Sequence, residues 1–123
     1  MIYPIVIYGS PILRKVAQEI DENYPNLEEF IFDMWETMYH SDGVGLAAPQ
    51  VGKPIRLFVI DGSPFEEDDP KMKDFKKVFI NARIVDRGEE DITMNEGCLS
   101  IPLLREDVER PMKIRLKYYD EHF

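Results

Sequence analysis

The chain has 123 residues, 44% of them hydrophobic, and its 15 basic against 24 acidic side chains give a formal charge of -9. That length fits one compact domain with a modest core, and the acidic balance repels phosphate backbones, which argues against a general nucleic-acid groove. The opening MIYPIVIYGS lacks the charged start of a secretory signal, and no apolar stretch approaches the roughly 18 residues of a membrane span. Residues 2 to 7 then form a short apolar run. Ser10-Pro11 announces a short helix or turn within Pro11 to Ile20, with serine as cap and proline at the first helical position. The clearest element covers 26 to 40, where Leu27, Phe30, Ile31, Met34, Trp35 and Met38 stripe one face of an amphipathic helix. Asn26 with Glu29 three residues on resembles a capping box, and Ser41-Asp42-Gly43 closes the helix.

From Arg56 the period changes. Short β-rich runs at Arg56 to Asp61, Lys77 to Ile80, Ala82 to Arg87, Ile92 to Asn95, Val108 and Ile114 to Tyr119 are separated by turn residues. The acidic stretch from Asp61 to Pro70 reads as a surface excursion without chemistry. A helix followed by antiparallel strands is an α+β fold, with the N-terminal amphipathic helix packed on antiparallel sheets.

Two segments carry candidate chemistry. Gly43-Val-Gly-Leu-Ala-Ala-Pro-Gln50-Val-Gly52 sets three glycines, two alanines and a proline around one polar side chain. Glycine permits positive φ and close approach of another backbone, so a ligand can lie against such a loop. The Gln50 amide is no base near neutral pH, but its N–H pair can stabilise developing negative charge on an oxygen. The plain alternative is a tight connection from helix to strand in which Gln50 caps a backbone carbonyl.

The second segment holds the only cysteine, in Asn95-Glu96-Gly97-Cys98-Leu99-Ser100. One cysteine excludes an intramolecular disulfide and suits a reducing compartment, the cytosol by default. Cys98 is open to three roles: thiolate ligand of a catalytic metal, nucleophile paired with a base, or small buried hydrophobe.

Together, Gly43-Val-Gly-Leu-Ala-Ala-Pro-Gln50 and Glu96-Gly-Cys-Leu-Ser100 are similar to the first and second signature motifs of the peptide deformylases. Gly9-Ser-Pro-Ile-Leu-Arg14 resembles that family's opening turn, so the likeness runs through nearly the whole chain. The resemblance implies a metal-dependent hydrolase, cytoplasmic, that removes the formyl group from the N-terminal formylmethionine of nascent polypeptides at the ribosome. It further implies one divalent metal, Fe(II) by expectation and replaceable by Ni, Co or Zn. Cys98 would be one ligand, with two histidines from a third motif, His-Glu-x-x-His, completing the set. By the same resemblance Gln50 and the backbone N–H of Leu99 donate to the oxyanion, while Val44, Gly45 and Gly97 receive the peptide as an added strand. Asp42 and Arg105 are expected to form a charge pair that holds the loop.

The sequence departs from the pattern in lacking the third motif. His40 and His122 have no partner at i+4 and read as exposed or capping residues, and Glu96 reads as a structural carboxylate rather than the missing acid. The expectation is therefore a single, incomplete deformylase domain over residues 1–123 without the C-terminal metal-binding helix, without bound metal if truly this short, and inactive alone. Apolar faces of the strands and of the 26 to 40 helix should then be exposed. A chain truly this short would be expected to form a swapped dimer. Two other classes stand beside the enzyme: a non-catalytic peptide-binding module, and a thiol enzyme that uses Cys98 with a nearby histidine.

Overall fold

A computed structural model describes residues 2–7, 9–67, 70–87, 91–98, 101–111 and 114–123, with Lys71 and residues 85–87, 91–98, 101–111 and 114–115 described by backbone alone. The apolar stripe forms helix α1, Leu27–His40, which buries Phe30, Ile31, Met34 and Met38. Asn26 does not cap it as expected. It sits at φ 55 with no side-chain bond to the first turn, and its carbonyl accepts the Phe30 N–H at 3.0 Å. The positive end of the helix instead faces Glu28 and Glu29 in the first turn. At the other end Gly43 N–H returns to Met38 O at 3.0 Å and Asp42 N–H to Tyr39 O at 3.2 Å. This is a Schellman closure, with Asp42 at φ 57 in the left-handed position that glycine usually takes.

Among the described residues six strands follow: β1 Gly45–Ala47, β2 Leu57–Asp61, β3 Lys76–Arg87, β4 Asp91–Cys98, β5 Ile101–Pro111 and β6 Ile114–Tyr119. Four of them form an antiparallel sheet in the order β1-β2-β3-β6, and β4 pairs with β5 in a separate hairpin. Alternation sets the two faces of the larger sheet. Leu57, Val59, Val78 and Ile80 point to α1 and are buried with Leu46, Ala48, Val51 and Ile55. The opposite face carries an aromatic row, in which Phe58 stacks on its cross-strand partner Phe79 at 4.7 Å and Phe79 meets Tyr118 at 4.3 Å.

Two expected runs, Lys77 to Ile80 and Ala82 to Arg87, merge into the single strand β3. The break in their pattern is an irregularity at Asn81, which has φ 54 and where the β3–β6 register shifts between Ile80 and Arg83. The Asn81 side chain accepts the Ile20 N–H at 3.0 Å and donates to the Ile20 carbonyl at 2.7 Å, tying the N-terminal segment to the sheet. That segment, which holds the short 3-10 helix Pro11–Arg14, also pairs Gln18 with Ile55. Of the acidic stretch, residues 64–67 and Pro70 are exposed as read, whereas Gly62 is buried and Asp61 half-buried; it contains the 3-10 helix Ser63–Phe65 and meets a second, Pro70–Met72, at its end.

The expected exposure of the α1 apolar face is not observed, since Met34 and Met38 are fully buried. Tyr3 and Ile5 of the N-terminal segment pack against the same core, and the Tyr3 N–H donates to the buried Thr37 Oγ1 at 2.9 Å. Thr37 Oγ1 in turn donates to Asp33 O at 2.8 Å, so its burial leaves no polar atom unmatched. Exposed apolar side chains do occur on the sheet at Ile84, Tyr118 and Tyr119. Among the described residues no helix is long and apolar enough to cross a membrane.

Candidate functional site

The glycine-rich stretch is more ordered than a loop. Gly45–Ala47 is strand β1, registered against Phe58 to Ile60 of β2, and Ala48–Val51 is a 3-10 helix that ends at Gly52, φ 87. Three apolar positions, Leu46, Ala48 and Val51, are buried in the core and anchor it. Gln50 is held from two sides. Its carbonyl accepts the Val6 N–H at 2.8 Å, and its side-chain Oε1 accepts the Ala47 N–H at 2.9 Å. The plain reading had Gln50 capping a carbonyl; its side-chain oxygen caps the Ala47 amide. Because Ala47 N–H is a donor, the side-chain oxygen must face it, and the Nε2 hydrogens are directed away from that contact.

Gly45 does not need glycine for its backbone, since its φ lies outside the left-handed region and a Cβ there would meet Val59 O at 3.5 Å, an ordinary contact. Among the described strands β1 pairs with β2 alone, so its second edge borders no other strand of the sheet. Val44 precedes that edge, is 41% exposed, and its carbonyl accepts the Asp61 N–H at 2.8 Å.

Asp61 is a residue that the sequence did not single out. Its Oδ2 accepts the Tyr39 hydroxyl at 2.6 Å and its Oδ1 the Ser63 N–H at 2.9 Å. Hydrogen bonding from Ser63, and then from Tyr39, holds its carboxyl below the usual range. Desolvation and the bond to Asp61 push the Tyr39 phenol up to about 12. Trp35 stacks on Tyr39 with centroids 6.0 Å apart, and Lys76 Nζ lies 4.5 Å from the Trp35 ring centre and 5.4 Å from that of Tyr39. No local sequence signal joins Tyr39 to Asp61, because the contact spans 22 residues.

In the β4–β5 hairpin Gly97 is registered with Arg105 and Cys98 with Ile101, with an irregularity between the two pairs. The side chains of Cys98 and Arg105, and all of Leu99, lie outside the described residues, and with them the Asp42–Arg105 pair. His40 is exposed at the end of α1. His122, in the closing turn, is also exposed and lies 3.7 Å from Glu121. Among the described residues no cluster of three His, Cys, Asp or Glu could hold a metal ion. With Cys98 the chain offers one thiolate where an open catalytic centre uses three protein ligands, so these residues do not by themselves fit a complete metal site.

The chain matches the model of the polypeptide deformylase family over residues 2–123. Over its full length it is 55% identical to the peptide deformylase of Flavobacterium psychrophilum, of which it covers 67%. It superposes on the crystal structure of peptide deformylase from Thermotoga maritima with a TM-score of 0.87 and 38% identity, covering 99% of this chain and 76% of that one. It is also similar to the Met-Ala-Ser-bound class I type b peptide deformylase from Acinetobacter baumannii, with a TM-score of 0.86, 30% identity, and 98% and 78% of the two chains covered. The chain spans about two thirds of the length of the relatives it matches by sequence.

Proposed function

Given that this chain belongs to the polypeptide deformylase family, we propose that it is the substrate-reading, cysteine-bearing part of a metal-dependent hydrolase that removes the formyl group from N-terminal formylmethionine of nascent polypeptides. The observation that carries the reading is the edge strand β1 with Gln50 turned back onto it in a chain that matches the family from end to end. An extended peptide can add to the second edge of β1 through main-chain hydrogen bonds, with Val44 and Gly45 as partners and Gly97 on the other side. A relative of the same fold has been solved with Met-Ala-Ser bound.

In this proposal the Gln50 amide and the Leu99 N–H donate to the formyl oxygen as it gains negative charge during addition to the formyl carbon. The Ala47 N–H holds Gln50 Oε1, which keeps the donating end of the amide oriented before substrate arrives. Cys98 is assigned as one ligand of a divalent ion, Fe(II) or in its place Ni, Co or Zn, and the other ligands are assigned to residues outside this chain. Asp42 and Arg105 are assigned as the pair that holds the loop. Residues 1–123 are read as part of one domain that works in the cytoplasm on chains leaving the ribosome, with a swapped dimer as the form expected if no further segment exists.

A formate-release assay on formylmethionyl peptide with Fe(II) or Ni(II), run on full-length protein and on the 123 residues, tests the reading. Release by the full-length form and none by the 123 residues is expected. A full-length protein that binds metal and releases no formate overturns it.

A further inference from the structure

We propose that the hydrogen bond between Tyr39 and Asp61 is a positioning device that keeps the Val44–Gly45 edge in place for an extended peptide, an inference that rests on the function proposed above. Two tethers meet at Asp61. Its backbone N–H holds the Val44 carbonyl at 2.8 Å, and its carboxylate holds the Tyr39 hydroxyl at 2.6 Å. Tyr39 lies in the last turn of α1, and the helix closure that follows runs through Asp42 and Gly43 directly into Val44. The segment 40–43 is thus closed at its base, because the residues on both of its flanks, Tyr39 and Val44, are bound to the same aspartate.

The bond is built to hold. A hydroxyl that donates to an ionised carboxylate at this distance is in the strong, short class; burial first and then this bond raise the phenol, and Ser63 first and then this bond lower the carboxyl. Stacking on Trp35 fixes the plane of the Tyr39 ring. Lys76, the cross-strand partner of Asp61 in β3, places its ammonium over both rings. A lone exposed polar pair would do little, whereas here the ring, the cation and the strand register restrict the same two groups.

A strand that receives a peptide must present its carbonyls and amides in register. Loosening Val44 weakens that pairing equally in ground and transition states, so KM should rise while kcat stays. Tyr39 touches neither substrate nor reacting atoms in this scheme and acts through the edge.

The test uses full-length protein with Tyr39→Phe, Asp61→Asn and, as a distant destabilised control, Asn81→Ala. Tyr39→Phe is expected to raise KM for the formyl peptide about threefold to tenfold with kcat within about twofold, and Asp61→Asn, which retains an acceptor, to fall between it and the parent. An unchanged KM in Tyr39→Phe, or an equal rise in Asn81→Ala, overturns the proposal. Hydrogen exchange gives a readout independent of activity: amides 43–46 should exchange faster in Tyr39→Phe while those of β2 and β3 keep their protection. Unchanged or uniformly faster exchange overturns it. A parent protein that releases no formate removes the function proposed above, and exchange still decides whether the device exists.

Discussion

The side-chain oxygen of Gln50 accepts the Ala47 N–H at 2.9 Å, so one residue is both a structural cap for the 3-10 helix and, through its other end, the donor assigned to the oxyanion. The two roles separate in a Gln50→Glu variant. Glutamate retains an acceptor for Ala47 but has no hydrogens to donate, and its charge opposes that of an oxyanion. Full-length Gln50→Glu is expected to melt within a few degrees of the parent while kcat falls by about 10²–10³. Formate release at saturating peptide, read beside thermal melting, checks this. Parental kcat in a folded Gln50→Glu protein would remove Gln50 from the chemistry.

Asp42 occupies the left-handed closing position of α1 at φ 57, where glycine fits with less strain. If closure is its only role, Asp42→Gly should stabilise the protein by about 0.5–1 kcal/mol in denaturant unfolding. The assigned pair with Arg105 would offset part of that gain by about 0 to 1 kcal/mol. A double-mutant cycle with Arg105→Ala resolves the two. With a pair, Asp42→Gly gains more in the Arg105→Ala background than in the parent; equal gains in both remove the pair.

What could be read from the sequence follows the range of the interactions concerned. Helix α1 was legible because Phe30, Ile31, Met34 and Met38 report their own burial through a local period. Its start was not: Asn26 has the right side chain for a cap but a left-handed backbone, which a residue type does not reveal. Strand β1 was hidden because Gly45, Leu46 and Ala47 carry little strand preference, and their strand exists through pairing with Phe58 to Ile60. The two glycine and cysteine motifs named the family, now shown by the match over residues 2–123, yet they said nothing of Tyr39 or Asp61. Those two meet only once α1 and β2 are packed.

Asn81 divided β3 in the sequence reading for a reason that predicts its energetic weight. Its amide satisfies both the N–H and the carbonyl of Ile20, at 3.0 and 2.7 Å, while its own N–H donates to Arg56 O at 2.8 Å. Arg56 also pairs with Glu19 at 3.0 Å and donates to the Ala82 carbonyl, so the same corner gathers three segments. Asn81→Ala strands the two Ile20 groups and replaces asparagine, which tolerates φ 54 better than alanine, for an expected cost of about 2–4 kcal/mol. Asn81→Gly restores the backbone but not the bonds and should lie between. Denaturant midpoints at constant slope measure both, and an Asn81→Ala protein as stable as the parent would show that the N-terminal segment is held by other contacts.

The Tyr39–Asp61 pair has a pH window whose limits follow from its two titrations. Asp61 has a folded pKa below its ordinary 3.8, so its contribution is present above that value and lost as pH falls through the lower folded one. Tyr39 has a folded pKa raised from 10.0 to about 12, so its contribution is full below 10 and lost as pH climbs toward 12. The stability difference between the parent and Tyr39→Phe should therefore be flat from about pH 5 to 9 and shrink on both sides. Comparing the two proteins cancels the remaining carboxylates and tyrosines, whose titrations are common to both. Urea unfolding across pH gives the difference, and absorbance titration of the phenols should show a late-ionising group in the parent that Tyr39→Phe lacks. A gap that stays constant as pH falls from about 5 to well below 3.8 would mean that Asp61 is not the acceptor that matters to Tyr39, and the ring would then be held by packing on Trp35 and Lys76 alone.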